Sequence, residues 1–196
     1  MEKPVARQSH GLEQFFASLG GSQGLRILDL GGACQENIGF ITSLGHRLSS
    51  EDFLRTLENV FGDGDFYSNQ ERDDLMEKFT SQVLDFEPGY FDGALIWDTL
   101  QYLSPKLLQM TLDQLQNILR PGAFMLSFFH TDEKATTAPL VNFRIHDARS
   151  LTLIPRGVRK PAQFFSNRSL ERLFGNCQAT KFFLTRDNLR EVIVKR

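Results

Sequence analysis

Residues 26–37 of this 196-residue chain read RILDLGGACQEN, and this stretch decides which fold the sequence predicts. Residues 26–30 form a short apolar run of the kind that builds a buried parallel strand. Two glycines follow, and residues 37–44 have the spacing of a helix that ends at Gly45. Glycines between a strand and a helix let the backbone approach a ligand, while the start of the helix offers free N–H groups. The stretch therefore predicts a ligand-binding loop at the end of a strand.

The alternation of strand and helix continues on both sides of this loop. Apolar residues at helical spacing predict helices over residues 12–19, 52–61, 68–79, 107–119 and 169–174. Apolar runs predict strands over residues 46–50, 91–97 and 123–129, with shorter ones over 143–145 and 151–154. Residues 178–185 and 190–195 are strand-like runs joined by a polar turn, which predicts an antiparallel hairpin. We expect one α/β domain over residues 1–196, with a mostly parallel sheet and helices on both faces.

The composition is that of a globular protein, with 41% hydrophobic and 23% charged residues. No apolar run approaches the roughly 20 residues that a membrane span needs, and the N-terminus lacks the apolar core of a signal peptide. Cys34 and Cys177 have no spacing that pairs them, so reduced thiols and a cytoplasmic location are expected. The histidines do not cluster with cysteines or acids at metal-ligand spacing, and no metal site is expected.

The net charge of −2 is unevenly distributed along the chain. Residues 1–140 carry 10 basic and 20 acidic residues, whereas residues 141–172 carry 7 basic and 2 acidic ones. Such a basic segment can attract an anionic small molecule. Nucleic acid is not expected, because no aromatic-and-basic nucleic-acid motif accompanies the arginines. The favoured interpretation is that these arginines pair with the acidic body of the same chain.

The spacing of acidic residues adds a second sign of a binding site. In an open α/β sheet, ligands bind beyond the carboxyl ends of the strands, and an acid about 20 residues after the glycine loop holds ribose hydroxyls. Glu51 and Asp52 lie 22 and 23 residues after Asp29. Asp85 and Phe86, expected at the end of a third strand, would flank an adenine ring. Each acid alone is equally well explained as a helix N-terminal charge, so the prediction depends on their order and spacing.

The segments RILDLGG, LDFEPGYFDGALIWDTLQYL, LRPGAFMLSFF, SLERLFGNCQATKFF and LREVIVKR together resemble the class I S-adenosylmethionine-dependent methyltransferase family. The resemblance covers residues 12–196. It implies a Rossmann-like three-layer sandwich with a seven-stranded, mostly parallel sheet that ends in an antiparallel hairpin. It also implies S-adenosylmethionine as cofactor, a cofactor-binding half over about residues 12–130, and a substrate-facing part over about residues 131–196.

Carried over residue by residue, the resemblance implies a set of cofactor-binding positions. The methionine end is expected at Asp29, Gly31, Gly32, Ala33 and Gln35, the ribose at Glu51 or Asp52, the adenine at Asp85 and Phe86, and the pocket lining at Trp97 and Asp98. The family's loop holds three spaced glycines, whereas the second and third are Ala33 and Gln35 here. One hypothesis is that side-chain hydrogen bonds from Gln35 and Asn37 replace the lost contacts. The other is that the loop has degenerated.

His130 is the candidate catalytic residue. Methyl transfer is a displacement for which an enzyme supplies positioning, plus a base when the acceptor must lose a proton. His130 closes a strand near the expected rim of the site and has a suitable ordinary pKa, although a lone histidine at a strand end is more often a loop residue without a catalytic role. The leading hypothesis is a methyltransferase that acts on a small molecule, and the alternative is a methyltransferase-like binding module with weak or no activity. The absence of GxGxxG disfavours a nucleotide-dependent oxidoreductase.

Overall fold

The structure is a computed structural model that describes residues 3–132, 134–185 and 187–196. Among these residues, the strands are β1 (Val5–Gln8), β2 (Arg26–Asp29), β3 (Arg47–Ser50), β4 (Phe91–Trp97), β5 (Leu119–His130), β6 (Ala138–Asp147), β7 (Ser150–Arg159), β8 (Ala179–Phe183) and β9 (Leu189–Lys195). The helices in the same ranges are α1 (His10–Leu19), α2 (Gln35–Ser43), α3 (Phe53–Phe61), α4 (Phe66–Asn69), α5 (Asp73–Thr80), α6 (Pro105–Ile118) and α7 (Asn167–Leu173). A short 3-10 helix spans Thr99–Tyr102.

The main sheet has the strand order β3-β2-β4-β5-β9-β8. Its first four strands are parallel, and helical crossovers of the kind that parallel pairing requires follow β2, β3 and β4. Strand β9 pairs antiparallel with β5, and β8 pairs antiparallel with β9. This arrangement confirms the predicted α/β fold and the predicted hairpin at the C-terminal end.

Both faces of the main sheet are covered, because its central strands are apolar on both sides. In β4, Ala94 and Ile96 belong to one core cluster, and Leu95 and Trp97 belong to another. The first cluster includes buried residues of α3, α5, α6 and α7, and the second includes residues of α1 and α2. Alternation along one strand thus divides the core into two layers, as expected for side chains that point to opposite faces.

The predicted seven-stranded sheet is wrong in one respect, because residues 81–90 form no strand in the described chain. Leu84 has a φ of 56°, and its N–H donates to the Glu51 carboxylate at 3.1–3.2 Å. A left-handed residue whose N–H is already bonded cannot join a strand ladder. The preceding segment, predicted as one helix over 68–79, is divided into α4 and α5 around Arg72.

A separate antiparallel sheet, here called the small sheet, has the order β1-β7-β6. Strands β6 and β7 are each ten residues long and form one hairpin, where the sequence predicted only short strands. The sequence did not predict β1, because VARQ has no apolar pattern. It is fixed by side chains instead: Arg7 donates to the buried Glu191 carboxylate of β9 at 2.6 Å, and Ser9 bonds the same carboxylate at 3.0 Å.

Among the described residues, no helix combines the length and the hydropathy needed to cross a membrane.

Candidate functional site

The carboxyl ends of β2, β3 and β4 lie at one edge of the main sheet, where residues 30–34 lead from β2 into α2. We call this place the crevice. Gly31 faces the indole of Trp97, and a Cβ on Gly31 would come within 2.8 Å of the indole nitrogen. Gly32 has a φ of 82°, a conformation that favours glycine. The two glycines are therefore required by a close side-chain contact and by a turn within the protein.

The Asp29 carboxylate, at the end of β2, is fully buried and bonded on both oxygens. Its Oδ1 accepts hydrogen bonds from the Trp97 indole N–H at 2.6 Å and from the Gly31 backbone N–H at 2.8 Å. Its Oδ2 accepts from the Asn37 amide at 2.9 Å. Burial raises the pKa of Asp29, whereas these hydrogen bonds lower it. The donors lie within the chain, so Asp29 stabilises the crevice itself.

Trp97, at the end of β4, fills the crevice. Its indole is buried and lies parallel to the Phe143 ring, with an interplanar angle of 8° and centroids 4.8 Å apart. Phe128 stacks on the indole at 5.9 Å. We call these three rings the aromatic stack. Trp97 has a φ of 57°, which an L-residue rarely adopts and which persists only where its surroundings fix it.

Asn37, in the first turn of α2, joins the crevice to the small sheet. Its amide nitrogen donates to the Phe143 carbonyl at 3.1 Å as well as to Asp29, and its oxygen accepts from the Ile145 N–H at 2.8 Å. The hypothesis that Asn37 offers its amide to a ligand is therefore wrong, because the amide is buried and bonded to β6. Ala33 and Gln35 are both exposed at the start of α2.

The acids predicted to hold ribose have protein partners as well. The Glu51 carboxylate accepts from the Leu84 N–H, and burial raises its pKa. Asp52 caps α3 by accepting from the Arg55 N–H at 3.1 Å, and its Oδ1 lies 3.7 Å from the Arg156 guanidinium. The loop is also connected to β3, because the Gly32 N–H donates to the Glu51 carbonyl at 3.0 Å.

The predicted adenine-flanking pair is divided. Asp85 lies near Glu51, since its charge contributes to the raised pKa of that acid. Phe86 instead packs on Phe91 with ring centroids 4.7 Å apart, and on Tyr90 at 5.8 Å. Phe91 begins β4, whereas Trp97 ends it, so Phe86 lies toward the opposite end of that strand. The reason is the missing third strand, which would have carried both residues to the crevice.

The arginines of the covering hairpin, β6 and β7, pair with the acidic body of the chain. Arg144 lies 2.6 Å from Glu36, and Arg159 lies 3.0 Å from Glu58. With the contact between Arg156 and Asp52, these ion pairs agree with the interpretation favoured from the charge distribution for three of the seven basic residues in 141–172. The hairpin thus lies over the crevice and is attached to α2 and α3.

A buried polar group lies beside the crevice, between β4 and β5. Burial raises the pKa of Asp98 to about 7, and the Tyr102 hydroxyl donates to it at 3.5 Å. His130 Nε2 lies 3.9 Å from the same carboxylate. Burial lowers the pKa of His130 to about 4, although a hydrogen bond to the Pro139 carbonyl opposes that shift. Gln101, which the sequence did not single out, accepts from the His130 backbone N–H at 3.0 Å.

A cavity of about 620 Å³ opens next to this group, between the small sheet and the ends of β5 and β9. Its apolar wall includes Val141, Leu153 and Phe164, and His130 contributes to the same wall. Asp132, Asp187 and Lys3 also line it. A volume of this size lies within the range of small-molecule sites. Of the residues predicted for the site, His130 lines the cavity, and the predicted cofactor residues lie elsewhere.

No protein-family model and no curated protein matches the chain. Three solved structures are similar to it at 14% sequence identity. They are 1,6-didemethyltoxoflavin-N1-methyltransferase from Burkholderia thailandensis (TM-score 0.53; 95% of this chain and 76% of that chain), a methyltransferase from Archaeoglobus fulgidus (0.52; 94% and 91%) and one from Methanosarcina mazei (0.50; 89% and 93%). At this identity the similarity establishes the fold, and the chain has the class I methyltransferase fold that the resemblance implied.

S-adenosylmethionine is the cofactor that accompanies this fold in these neighbours. The Burkholderia structure holds S-adenosylhomocysteine together with 1,6-didemethyltoxoflavin, and the other two are described as dependent on S-adenosylmethionine. This agrees with the cofactor that the resemblance implied.

The crevice of this chain, as it stands, does not fit that cofactor. The indole of Trp97 lies over Gly31, where the methionine end is expected, and the Asp29 oxygens are bonded within the chain. At the ribose end, Glu51 accepts from one backbone N–H only among the described residues and keeps further acceptor sites, so the misfit lies at the methionine end. The fold is thus that of a methyltransferase, while the side chains at its crevice make contacts with one another.

Proposed function

We propose that this protein binds a small, largely apolar molecule in the cavity, on a methyltransferase fold whose crevice is filled by its own side chains. The observation that carries the proposal is the pairing of a filled crevice with an open cavity beside it. The aromatic stack occupies the crevice, whereas the cavity has a free volume of about 620 Å³. Most of the cavity wall comes from residues 131–196, the part expected from the sequence to face a substrate.

The chemistry of the wall favours a neutral or cationic ligand. Apolar walls bind by excluding water, and a few polar groups orient the ligand. His130 is neutral at pH 7, because its pKa is near 4, and its buried Nε2 has no hydrogen-bond partner among the described residues. Two carboxylates and one amine line the cavity. Three of the arginines that suggested an anionic ligand, Arg144, Arg156 and Arg159, already lie against carboxylates of the same chain.

The neighbour from Burkholderia thailandensis supports the size of the proposed ligand. That protein holds a small molecule, 1,6-didemethyltoxoflavin, on the same fold. Its presence there indicates that this fold can bind such a molecule, and the identity of the ligand here rests on the cavity itself.

The test is a thermal-shift screen of small apolar amines, alcohols and acids against the wild type and two variants. Leu153→Trp fills the cavity, whereas Val158→Trp places the same ring at an exposed position of the same strand, β7. We expect compounds that raise the Tm of the wild type and of Val158→Trp by several degrees but leave Leu153→Trp unchanged. An equal shift in all three proteins, or no stabilising compound in the screen, would contradict the proposal.

A second candidate is S-adenosylmethionine-dependent methyl transfer to a small molecule. It is favoured by His130, which lines the cavity and lies 3.9 Å from Asp98, the residue that follows Trp97. A neutral histidine can accept a proton from an acceptor molecule, which here requires the buried Nε2 of His130 to become accessible. This candidate requires the indole to leave the crevice. Calorimetric titration of the wild type with S-adenosylhomocysteine separates the two, since only the second requires binding.

A further inference from the structure

We propose that the Trp97 side chain is a built-in occupant of the crevice, and that this one side chain, rather than the replaced glycines, excludes S-adenosylmethionine. The proposal concerns the crevice and is independent of the ligand of the cavity. It explains why the loop keeps Gly31 and Gly32 while it has Ala33 and Gln35 further on.

The first step is steric. A Cβ on Gly31 would meet two atoms of the indole at 2.8 and 2.9 Å, so the ring edge lies directly on the loop backbone. Phe128 and Phe143 stack on the indole with ring centroids 5.9 and 4.8 Å from it. The surface of the loop that would contact a ligand is therefore covered by the indole. By contrast, Ala33 and Gln35 are exposed.

The second step concerns the hydrogen bonds that the Asp29 carboxylate already accepts within the chain. The indole N–H donates to Asp29 Oδ1, which also accepts from Gly31, and Asn37 takes the other oxygen. A ligand cation would have to displace one of these donors from a fully buried carboxylate. Displacement of a donor that satisfies a buried charge is unfavourable unless the ligand replaces it with equal geometry.

The third step is the backbone of Trp97. Its φ of 57° turns the side chain back over Gly31, and non-glycine residues adopt this conformation rarely. The contacts with Asp29, Phe128 and Phe143 hold the residue there. Trp97→Gly removes the ring and the backbone strain together, so this variant opens the crevice with the least disturbance of β4. Trp97→Phe is the matched control, because it keeps a ring in place and loses only the hydrogen bond.

The experiment is calorimetric titration of the full chain with S-adenosylhomocysteine. We expect no binding by the wild type or Trp97→Phe at about 1 mM, and binding by Trp97→Gly with a Kd of about 100 µM or lower. The same affinity is expected in the double variant with Leu153→Trp, which shows that the ligand is not in the cavity. Binding by the wild type overturns the proposal, and so does a folded Trp97→Gly protein that does not bind.

A second measurement applies if Trp97→Gly fails to fold. Trp97 is the only tryptophan of the chain, so its fluorescence reports on the crevice alone. Phe143→Ala removes the ring that stacks on the indole and leaves the sequence of β4 unchanged. We expect S-adenosylhomocysteine to shift the emission of Phe143→Ala toward longer wavelength and to leave the wild-type emission unchanged. A shift in the wild type, or none in Phe143→Ala, overturns the proposal.

Discussion

The crevice and the cavity lie at the same edge of the main sheet, where the parallel strands end. They differ in the hydrogen-bond partners of their polar groups. In the crevice, Asp29 and Asn37 bond to each other and to backbone groups, and three rings stack above them. Beside the cavity, the buried His130 Nε2 has no hydrogen-bond partner among the described residues, and partly buried residues such as Leu153 form the wall. The polar groups of the crevice are bonded within the chain, which makes the crevice part of the core. The cavity instead keeps about 620 Å³ of space for a ligand. This difference is the basis of our proposal that a ligand binds in the cavity and not in the crevice.

The largest expected effect comes from breaking the link between the crevice and the small sheet. Asn37→Leu leaves the Asp29 Oδ2, the Phe143 carbonyl and the Ile145 N–H buried without their partner. Each buried group without a partner costs about 1–3 kcal/mol, so we expect the free energy of unfolding to fall by about 4 kcal/mol. Urea denaturation followed by the Trp97 emission measures it.

The control for this variant is Asn59→Leu, at an exposed position of α3. It changes the same side chain where no buried bond is lost, and we expect a change of less than about 0.5 kcal/mol. Equal losses in the two variants would mean that the crevice is not held by Asn37. The crevice and the cavity would then not differ in the way described above.

The next effect concerns the pH dependence of stability. It arises from Asp98 and His130, which lie between the crevice and the cavity. The pKa of Asp98 rises from 3.8 to about 7 on folding, so its contribution to stability is present below pH 4 and is lost as the pH rises to 7. The pKa of His130 falls from 6.5 to about 4, so its contribution increases with pH between 4 and 6.5. In the wild type, the two slopes oppose each other.

Single variants should therefore separate these slopes. Between pH 4 and 6.5, we expect the stability of Asp98→Asn to rise more steeply than that of the wild type, and the stability of His130→Asn to fall more steeply. The differences in slope should be about 1 kcal/mol per pH unit. Other buried acids with raised pKa values, such as Glu51 and Glu191, contribute equally to all three proteins. Parallel stability curves would refute the assigned protonation states.

The sequence predicted those parts of the fold that local patterns determine. The runs at β2 and β4 are apolar on both faces, and the polar turn between β8 and β9 indicates a hairpin. A third strand that ends at Asp85 and Phe86 was expected, but Leu84 has a left-handed conformation and its N–H is bonded to the side chain of Glu51. Strand β1 could not be predicted, because Arg7 is positioned by Glu191, which lies 184 residues away in the chain.

The site was less predictable than the fold for the same reason. The sequence placed Trp97 and Asp29 at the crevice, but it gave no sign that one donates to the other. The ring that fixes the indole, Phe143, lies on a hairpin more than 100 residues beyond Asn37. The position of a residue at the end of a predicted strand indicates that its side chain lies near the binding edge of the sheet. Whether it lines a pocket or fills it depends on partners that are distant in sequence.

The smallest expected effect tests what holds the covering hairpin over the crevice. The Arg144 guanidinium lies 2.6 Å from Glu36, and both side chains are more than one third exposed. Exposed ion pairs contribute little, so Arg144→Gln should lower the free energy of unfolding by about 0.5 kcal/mol, and high salt should abolish the difference. Denaturation at low and high ionic strength measures both. A loss as large as that of Asn37→Leu would mean that this ion pair holds the hairpin in place. High salt would then loosen the hairpin over the crevice, whereas the cavity is accessible without such a change.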